Sequence, residues 1–166
     1  MSKLYIKQKL ISWGDAFEVK NEYEEDLYTV KGEVFSLGKK LHVFDMTGNE
    51  VALIRSKVWS WLPHFFVEVE GNPVAEIVGE FSFLKQRYHI EGCDWKIEGD
   101  CWGHNYQITQ NGSPVVSIRK AWFTWGDSYE LDIVEGQSEL MALAVVLAID
   151  VVAARQAAAA ASSTGN

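Results

Sequence analysis

Cysteine is scarce in this sequence, and the two that occur, Cys93 and Cys101, do not have the spacing of a metal site. The amino terminus also lacks the long apolar run of a secretion signal, so we expect reduced thiols in a cytoplasmic protein. Pairing of neighbouring antiparallel strands would bring the two cysteines close. Their more common role is as small apolar packing residues.

Motifs of catalysis and cofactor binding are missing as well. The chain contains no Gly-x-Ser-x-Gly motif, no phosphate loop and no dinucleotide-binding fingerprint. No two of the four histidines have metal-ligand spacing, so we interpret them as solvated or hydrogen-bonded surface residues. These are His42, His64, His89 and His104. We therefore expect a protein that is not an enzyme and has no cofactor and no bound metal.

Basic residues are fewer than acidic residues in this sequence. The 166 residues include 15 Lys and Arg against 23 Asp and Glu, which gives a net charge of -8. This balance argues against nonspecific binding to nucleic acid or to anionic membranes, although a local basic patch would override it. The length and the 48% hydrophobic content suit a single domain with a substantial core.

One long apolar stretch is present, from Leu140 to Ala154, and it has no polar stripe. It is shorter than the ~20 residues that a bilayer crossing needs, and Asp150 interrupts it, so we expect no transmembrane segment. A helix that is apolar on every side must be surrounded by protein. The stretch predicts a buried helix over about 137–155 within a single domain of residues 1–155. We expect the Ala- and Ser-rich residues 156–166 to form a frayed tail, of which the Ala run is able to extend the helix.

A short pattern recurs before this helix: a large apolar residue, Gly or a substitute, two further residues, a large apolar residue, any residue and an aliphatic one. A fixed period of this kind indicates repeated supersecondary units. Each copy has the form of a turn followed by a strand with one buried and one wet face. The copies are Trp13–Val19, Leu37–Val43, Trp61–Val67, the weaker Leu84–Ile90, Trp102–Ile108 and Trp125–Leu131.

A second turn lies in the middle of several units. Thr47–Ile54, Glu70–Ile77 and Asn111–Ile118 each carry a Gly just before a β-rich return strand, as a hairpin does. In the first unit the acidic loop Glu22–Asp26 has this role. Together with an opening strand near Leu4–Ile11 and a closing strand at Ser128–Ile133, the units predict about a dozen antiparallel strands.

These patterns predict a mainly β protein: a closed antiparallel barrel of about twelve strands around a central hydrophobic C-terminal helix. Closure removes the exposed sheet edges that invite aggregation. A barrel of more than about eight strands is too wide for its own side chains to fill, and a helix about 10 Å across suits the remaining space.

Four segments resemble the LURP-one-related (YxjI-type) family, and the resemblance covers the chain from about Leu4 to Val152. They are Phe35–Asp45, Trp95–His104, Trp122–Ile133 and the Leu-Ala-Ile-Asp that ends at Asp150. The family is similar to the C-terminal domain of tubby proteins and to phospholipid scramblases. The resemblance implies a twelve-stranded barrel threaded by a hydrophobic helix, with a largely undefined biochemical role. The phosphoinositide-binding residues of tubby domains do not align with this chain residue by residue.

Basic residues close to aromatic ones form the candidate site. They can be ordinary outward-facing strand charges, or they can hold a phosphorylated lipid headgroup while Trp lies at the membrane interface. They are Lys39, Lys40, Arg55, Lys57, Arg119 and Lys120. The favoured hypothesis is a binding or regulatory domain for an anionic lipid headgroup or another phosphorylated ligand, peripheral to a membrane. The alternatives are a small-molecule carrier or enzyme that uses the barrel mouth, and a nucleic-acid-binding regulator.

Asp150 is the most unusual single residue, because its helical neighbours Leu143, Val146 and Leu147 are all apolar. A buried carboxylate needs partners or must stay protonated. We expect it to bind backbone N–H groups or a Lys, Arg or Tyr side chain near a barrel mouth. The functional alternative is a buried acid that lines a ligand cavity.

Overall fold

The computed structural model describes residues 1–7, 16–33, 38–80, 87–101, 103–123 and 126–163. These residues form twelve β-strands and one α-helix. The strands are β1 (Ser2–Lys7), β2 (Ala16–Lys20), β3 (Asp26–Glu33), β4 (Lys40–Asp45), β5 (Glu50–Ser56), β6 (His64–Val69), β7 (Asn72–Glu80), β8 (Arg87–Glu91), β9 (Trp95–Asp100), β10 (Asn105–Gln110), β11 (Ser113–Phe123) and β12 (Gly126–Ile133). The helix is α1 (Glu139–Ser163).

The predicted fold is confirmed: the twelve described strands form a nearly closed antiparallel barrel around the C-terminal helix. The even-numbered strands follow the repeated turn pattern. The starts of several copies, including Trp13, Leu37, Leu84 and Trp102, lie outside the described residues. The mid-unit hairpins occur where predicted, because each of their glycines has a positive φ. The values are 89° at Gly48, 76° at Gly71 and 79° at Gly112.

The seam of the barrel, where the two ends of the sheet meet, does not lie between the first and last strands of the chain. β1 pairs with β12 in register from Ser2 opposite Ile133 to Lys7 opposite Ser128. The ends of the sheet are instead β8 and β9, which are consecutive in the chain. The weakest copy of the repeat, Leu84–Ile90, leads into β8. β1 is described only to Lys7, so the predicted extension of that strand to Ile11 lies outside the described residues.

The helix fills the barrel. Its residues from Ala142 to Ala153 are buried against the inward-facing side chains of the strands, and they form one hydrophobic cluster with them. Ser138 caps its start, since Ser138 Oγ accepts a hydrogen bond of 3.1 Å from the Met141 N–H. The helix runs to Ser163, past the expected end at 155, because the alanine run has the highest helix propensity. None of the described helical residues makes a segment long and apolar enough to cross a membrane.

Candidate functional site

The helix runs from one end of the barrel to the other. Near its start, the Tyr28 hydroxyl on β3 donates a 3.1 Å hydrogen bond to Glu139. Eleven residues later, ~16 Å along the axis, Asp150 meets Tyr129 near the beginning of β12. The helix then leaves the barrel, as the change from the buried Ala153 to the exposed Arg155 shows. We call this end, where β4 begins and β5 ends, the exit mouth.

Two connections at the exit mouth are locked together. The Lys39 N–H donates a 2.8 Å hydrogen bond to the Ser56 hydroxyl, and the Ser56 N–H donates one of 2.9 Å to the Lys39 carbonyl. Gly38 lies against the same segment with a φ of 109°, and a Cβ there would come within 2.9 Å of Ser56 Oγ and 3.2 Å of Val58. The rim at Lys39 is therefore held in a defined place.

The connection between β5 and β6 presents two tryptophans to solvent. Trp59 and Trp61 have relative exposures of 97% and 103%. Trp59 also has a φ of 68°, in the left-handed region that a bulky side chain rarely adopts. Lys57 precedes them and is exposed, and no described carboxylate lies within ion-pair distance of its amino group. The β5–β6 connection therefore combines backbone strain at Trp59 with two exposed aromatic side chains.

Two of the predicted basic residues lie side by side at the exit mouth but have acidic partners. Lys40 on β4 lies opposite Arg55 on β5. The Lys40 amino group is 3.2 Å from Glu33, and Arg55 Nε donates a 2.7 Å hydrogen bond to Glu68. Because each carboxylate offsets its cation, these two residues are weaker anion ligands than the sequence suggested.

The other predicted basic pair is distant from Lys40. Arg119 and Lys120 are on β11, and four strands separate β11 from β4 in the sheet order. Arg119 Nε donates a 2.7 Å hydrogen bond to Glu130, and its Nη2 donates one of 3.2 Å to Asp132. Lys120 is exposed opposite Tyr129. The six predicted residues therefore do not form one patch.

Arg155 joins the exit mouth, and the sequence reasoning did not select it. Burial, followed by the positive charge of Arg155, lowers the pKa of Lys39. A signal for it was present in the sequence: Arg155 is the first basic residue after the apolar stretch. It marks the point at which the helix reaches water.

Beneath the mouth lies a buried polar cluster centred on Asp150, which is 8% exposed. The Tyr129 hydroxyl donates a hydrogen bond to Asp150 Oδ2, and His104 Nε2 is 3.5 Å from Asp150 Oδ1. The His104 and Tyr129 rings stack with their centroids 4.3 Å apart. His104 thus differs from the outer-face histidines, such as His64, which is 2.6 Å from Glu76.

The cluster contains a cysteine, a histidine and an aspartate, but the thiol of its cysteine is held in the protonated form. Burial, then Asp150 and Asp100, raises the pKa of Cys101 to about 12, so the thiol is protonated at neutral pH. Burial, then Asp150, raises the pKa of Tyr106 well above its ordinary value, and its hydroxyl has no hydrogen-bond partner among the described residues. No described group of His, Cys, Asp and Glu has the arrangement of a metal site.

The two cysteines lie at opposite ends of β9. Cys93 precedes the strand and Cys101 follows it, and the six residues from Trp95 to Asp100 span ~20 Å. Strand pairing therefore does not bring them together, and both are free thiols.

Replacing Tyr129 by Phe is expected to lower the free energy of unfolding by about 1–3 kcal/mol, because it leaves the buried Asp150 without its hydroxyl donor. Urea unfolding measures this change. Tyr23→Phe, at an exposed position, is the matched control and should shift stability by less than about 0.5 kcal/mol. Equal stabilities of the Tyr129 variant and the parent would contradict the contact.

Comparison with known proteins adds a family and a fold. The model of the LURP-one-related family matches residues 2–150. The uncharacterized protein YxjI of Bacillus subtilis (strain 168) is 34% identical over 152 residues, which cover 92% of this chain and 94% of the relative. A solved structure of an Arabidopsis thaliana protein has a TM-score of 0.61 at 16% identity, with 90% of each chain covered. At 16% sequence identity, this similarity shows that the two proteins share a fold and shows nothing more.

Proposed function

The chain belongs to the LURP-one-related family, and we propose that it is a non-enzymatic binding domain whose exit mouth docks onto an anionic membrane surface. The observation that carries this proposal is the exposure of Trp59 and Trp61. Indole side chains favour the boundary between water and lipid, where the ring is partly desolvated and its N–H keeps a polar partner.

Charge supplies the second argument. Lys57 lies two residues before Trp59 in the same connection, and Lys39 and Arg155 lie at the same mouth. Each cation near an anionic bilayer contributes about 1 kcal/mol of attraction. The chain as a whole has a net charge of -8, so most of its surface is repelled. Docking is therefore oriented, with the exit mouth toward the lipid.

The backbone strain at Trp59 supports a role for this residue beyond folding. A φ of 68° suits glycine and disfavours a bulky aromatic residue. A tryptophan that is strained and almost fully exposed contributes little packing to stability. Contact with a membrane surface would give this exposed side chain a role that packing inside the chain does not.

The test is co-sedimentation with phosphatidylcholine vesicles that contain or lack phosphatidylserine. The parent should bind only the anionic vesicles. The double variant Trp59→Gly, Trp61→Ala should bind about tenfold or more weakly, because it loses most of its interfacial apolar area. Glycine at position 59 also relieves the strain, so the variant should keep the stability of the parent.

Tyr23→Ala provides the matched control, because Tyr23 is an exposed aromatic residue in the β2–β3 connection at the opposite end of the barrel. It should bind anionic vesicles like the parent. Equal binding of the parent to vesicles with and without phosphatidylserine would contradict the proposal. So would unchanged binding of the double variant.

A further inference from the structure

The end of the barrel opposite the exit mouth is acidic. We call it the entry end, because β12 ends there at Ile133 and α1 then enters the barrel. Every even-numbered strand ends at the entry end, since neighbouring strands are antiparallel. The connections that follow these strands contain six exposed acidic residues and no lysine or arginine. The acidic residues are Glu22, Glu24, Glu25, Glu70, Asp94 and Glu135.

These six carboxylates are not neutralised within the described part of the chain. None of them is within ion-pair distance of a described lysine, arginine or histidine, whereas Glu68 and Glu130 on the barrel wall are paired with arginine. Lys20, the lysine closest in the chain to the β2–β3 connection, is paired with Asp26. The uncompensated charge gives the entry end a negative potential, which attracts a basic partner.

Exposed apolar side chains lie among these carboxylates. Tyr23, Met46 and Val134 have relative exposures of 75%, 57% and 41%, and each is in one of the same connections. The strands that flank them are consecutive in the sheet, in the order β5-β4-β3-β2-β1-β12. At ~4.8 Å between neighbouring strands, the arc from Met46 to Val134 is ~20 Å long. Apolar residues that are grouped in this way and rimmed by polar ones mark an interaction surface.

Two of the connections are held in a defined conformation by their own hydrogen bonds. Asn21 Oδ1 accepts bonds of 2.9 Å from the Tyr23 N–H and 3.0 Å from the Glu25 N–H. In the β4–β5 turn, Asp45 Oδ1 accepts a bond of 2.9 Å from the Asn49 N–H. Because these loops are already ordered, little conformational entropy is lost when a partner binds them.

We propose that the entry end binds a segment of another protein that combines basic and apolar side chains. The basic groups would neutralise the acidic rim, and the apolar groups would remove Tyr23, Met46 and Val134 from water. Lysine and arginine suit both tasks, because their apolar stems can pack on Tyr23 while their charged ends reach a carboxylate. This inference goes beyond the proposed function and does not depend on it, since it concerns the other end of the barrel.

The charge of the entry end argues against other occupants. Nucleic acids and anionic membranes are repelled by it. A second copy of this chain also has a net charge of -8, so it is repelled on average. No described group of His, Cys, Asp and Glu at this end has the arrangement of a metal site.

The probe is a fluorescently labelled peptide of about eight residues in which lysine and leucine alternate, long enough at ~3.3 Å per residue to span the arc. Fluorescence anisotropy measures its binding to the parent. Tyr23→Ala combined with Met46→Ala should weaken binding about tenfold, because most of the exposed apolar area is lost. The matched control is Trp59→Gly combined with Trp61→Ala, which removes two exposed side chains at the exit mouth and should bind the peptide like the parent.

A second pair of variants tests the charge. Glu22→Gln combined with Glu24→Gln should weaken binding about fivefold and make it less sensitive to salt. Glu18→Gln combined with Glu98→Gln removes the same charge from the barrel wall and should bind like the parent. Each of these two control residues accepts a hydrogen bond from a threonine hydroxyl, which a glutamine oxygen can also accept.

Failure of the parent to bind the lysine–leucine peptide would overturn the inference, and so would equal binding by all the variants. Equally tight binding of a peptide with serine in place of leucine would show that charge alone is recognised, which would overturn the mixed surface. Dimers in sedimentation that the peptide does not dissociate would assign the entry end to a second copy and overturn the choice of partner. The Tyr23 and Met46 double variant should still bind anionic vesicles like the parent, so failure of this inference is distinguishable from failure of the proposed function.

Discussion

Replacing Val146 by Asp is expected to unfold the protein. Val146 is fully buried within the enclosed part of α1, and the residues about one turn away on either side, Leu143 and Ile149, are fully buried as well. A carboxylate at this point would have neither water nor a partner, which costs several kcal/mol. Since domains have only about 5–15 kcal/mol of stability, this loss removes most or all of it. Circular dichroism during heating measures the effect.

The control for this variant is Val134→Asp, which introduces the same charge immediately after β12. Val134 is 41% exposed, and its contribution to the sheet is a backbone hydrogen bond of 3.0 Å to Val115, which the substitution leaves in place. Its melting temperature should stay close to that of the parent. A Val146 variant that melts within a degree or two of the parent would refute the buried helix.

Replacing Gly99 by Ala is expected to lower the free energy of unfolding by about 3 kcal/mol or more. Gly99 has a φ of 117° and lies on β9 opposite Tyr106. An added Cβ would be 2.8 Å from the Asn105 carbonyl oxygen and 2.8 Å from Tyr106 Cα. Both are backbone atoms of a paired strand, so neither can move without breaking the ladder.

Gly112→Ala separates the clash from the backbone strain. Gly112 has a φ of 79° in the turn between β10 and β11, but a methyl group added there would have no other atom within 4 Å. Only the strain remains there, at about 1 kcal/mol. Urea midpoints with unchanged slopes should rank the parent above Gly112→Ala, and Gly112→Ala above Gly99→Ala. Equal midpoints for the two variants would show that the close approach at Gly99 is absent.

The proposed docking surface and the stabilising core are carried by different residues. Trp59 and Trp61 are exposed, whereas the Asp150 cluster is buried beneath the same mouth. Substitutions at the tryptophans should alter binding and spare stability, and Tyr129→Phe should lower stability. This separation makes the two kinds of experiment independent.

Local patterns in the chain predicted most of the architecture. The alternation at Tyr129, Leu131 and Ile133 predicted an inward strand face, and these three side chains are buried. The glycine at position 48 predicted a hairpin, because a tight turn requires a positive φ. Such signals depend on residues a few positions apart, so they can be read directly from the chain.

Contacts between distant residues were less predictable. The seam between β8 and β9 follows from how the whole sheet closes, and no local pattern records that geometry. Arg55 was a candidate anion ligand, yet Glu68, thirteen positions away, occupies its guanidinium. Arg155 is far from the other basic residues of the exit mouth in the chain, and its place there depends on where the helix leaves the barrel.

The period of the apolar residues was enough to predict about a dozen strands with one apolar and one polar face, and a helix that must be enclosed because it has no polar side. Folding in three dimensions settles which charges are neutralised, which partners Asp150 receives, and that Lys39, Arg155, Trp59 and Trp61 lie at one mouth. Electrostatic and hydrogen-bonding partners are chosen by distance in space, and closing the barrel brings together side chains that are far apart in the chain.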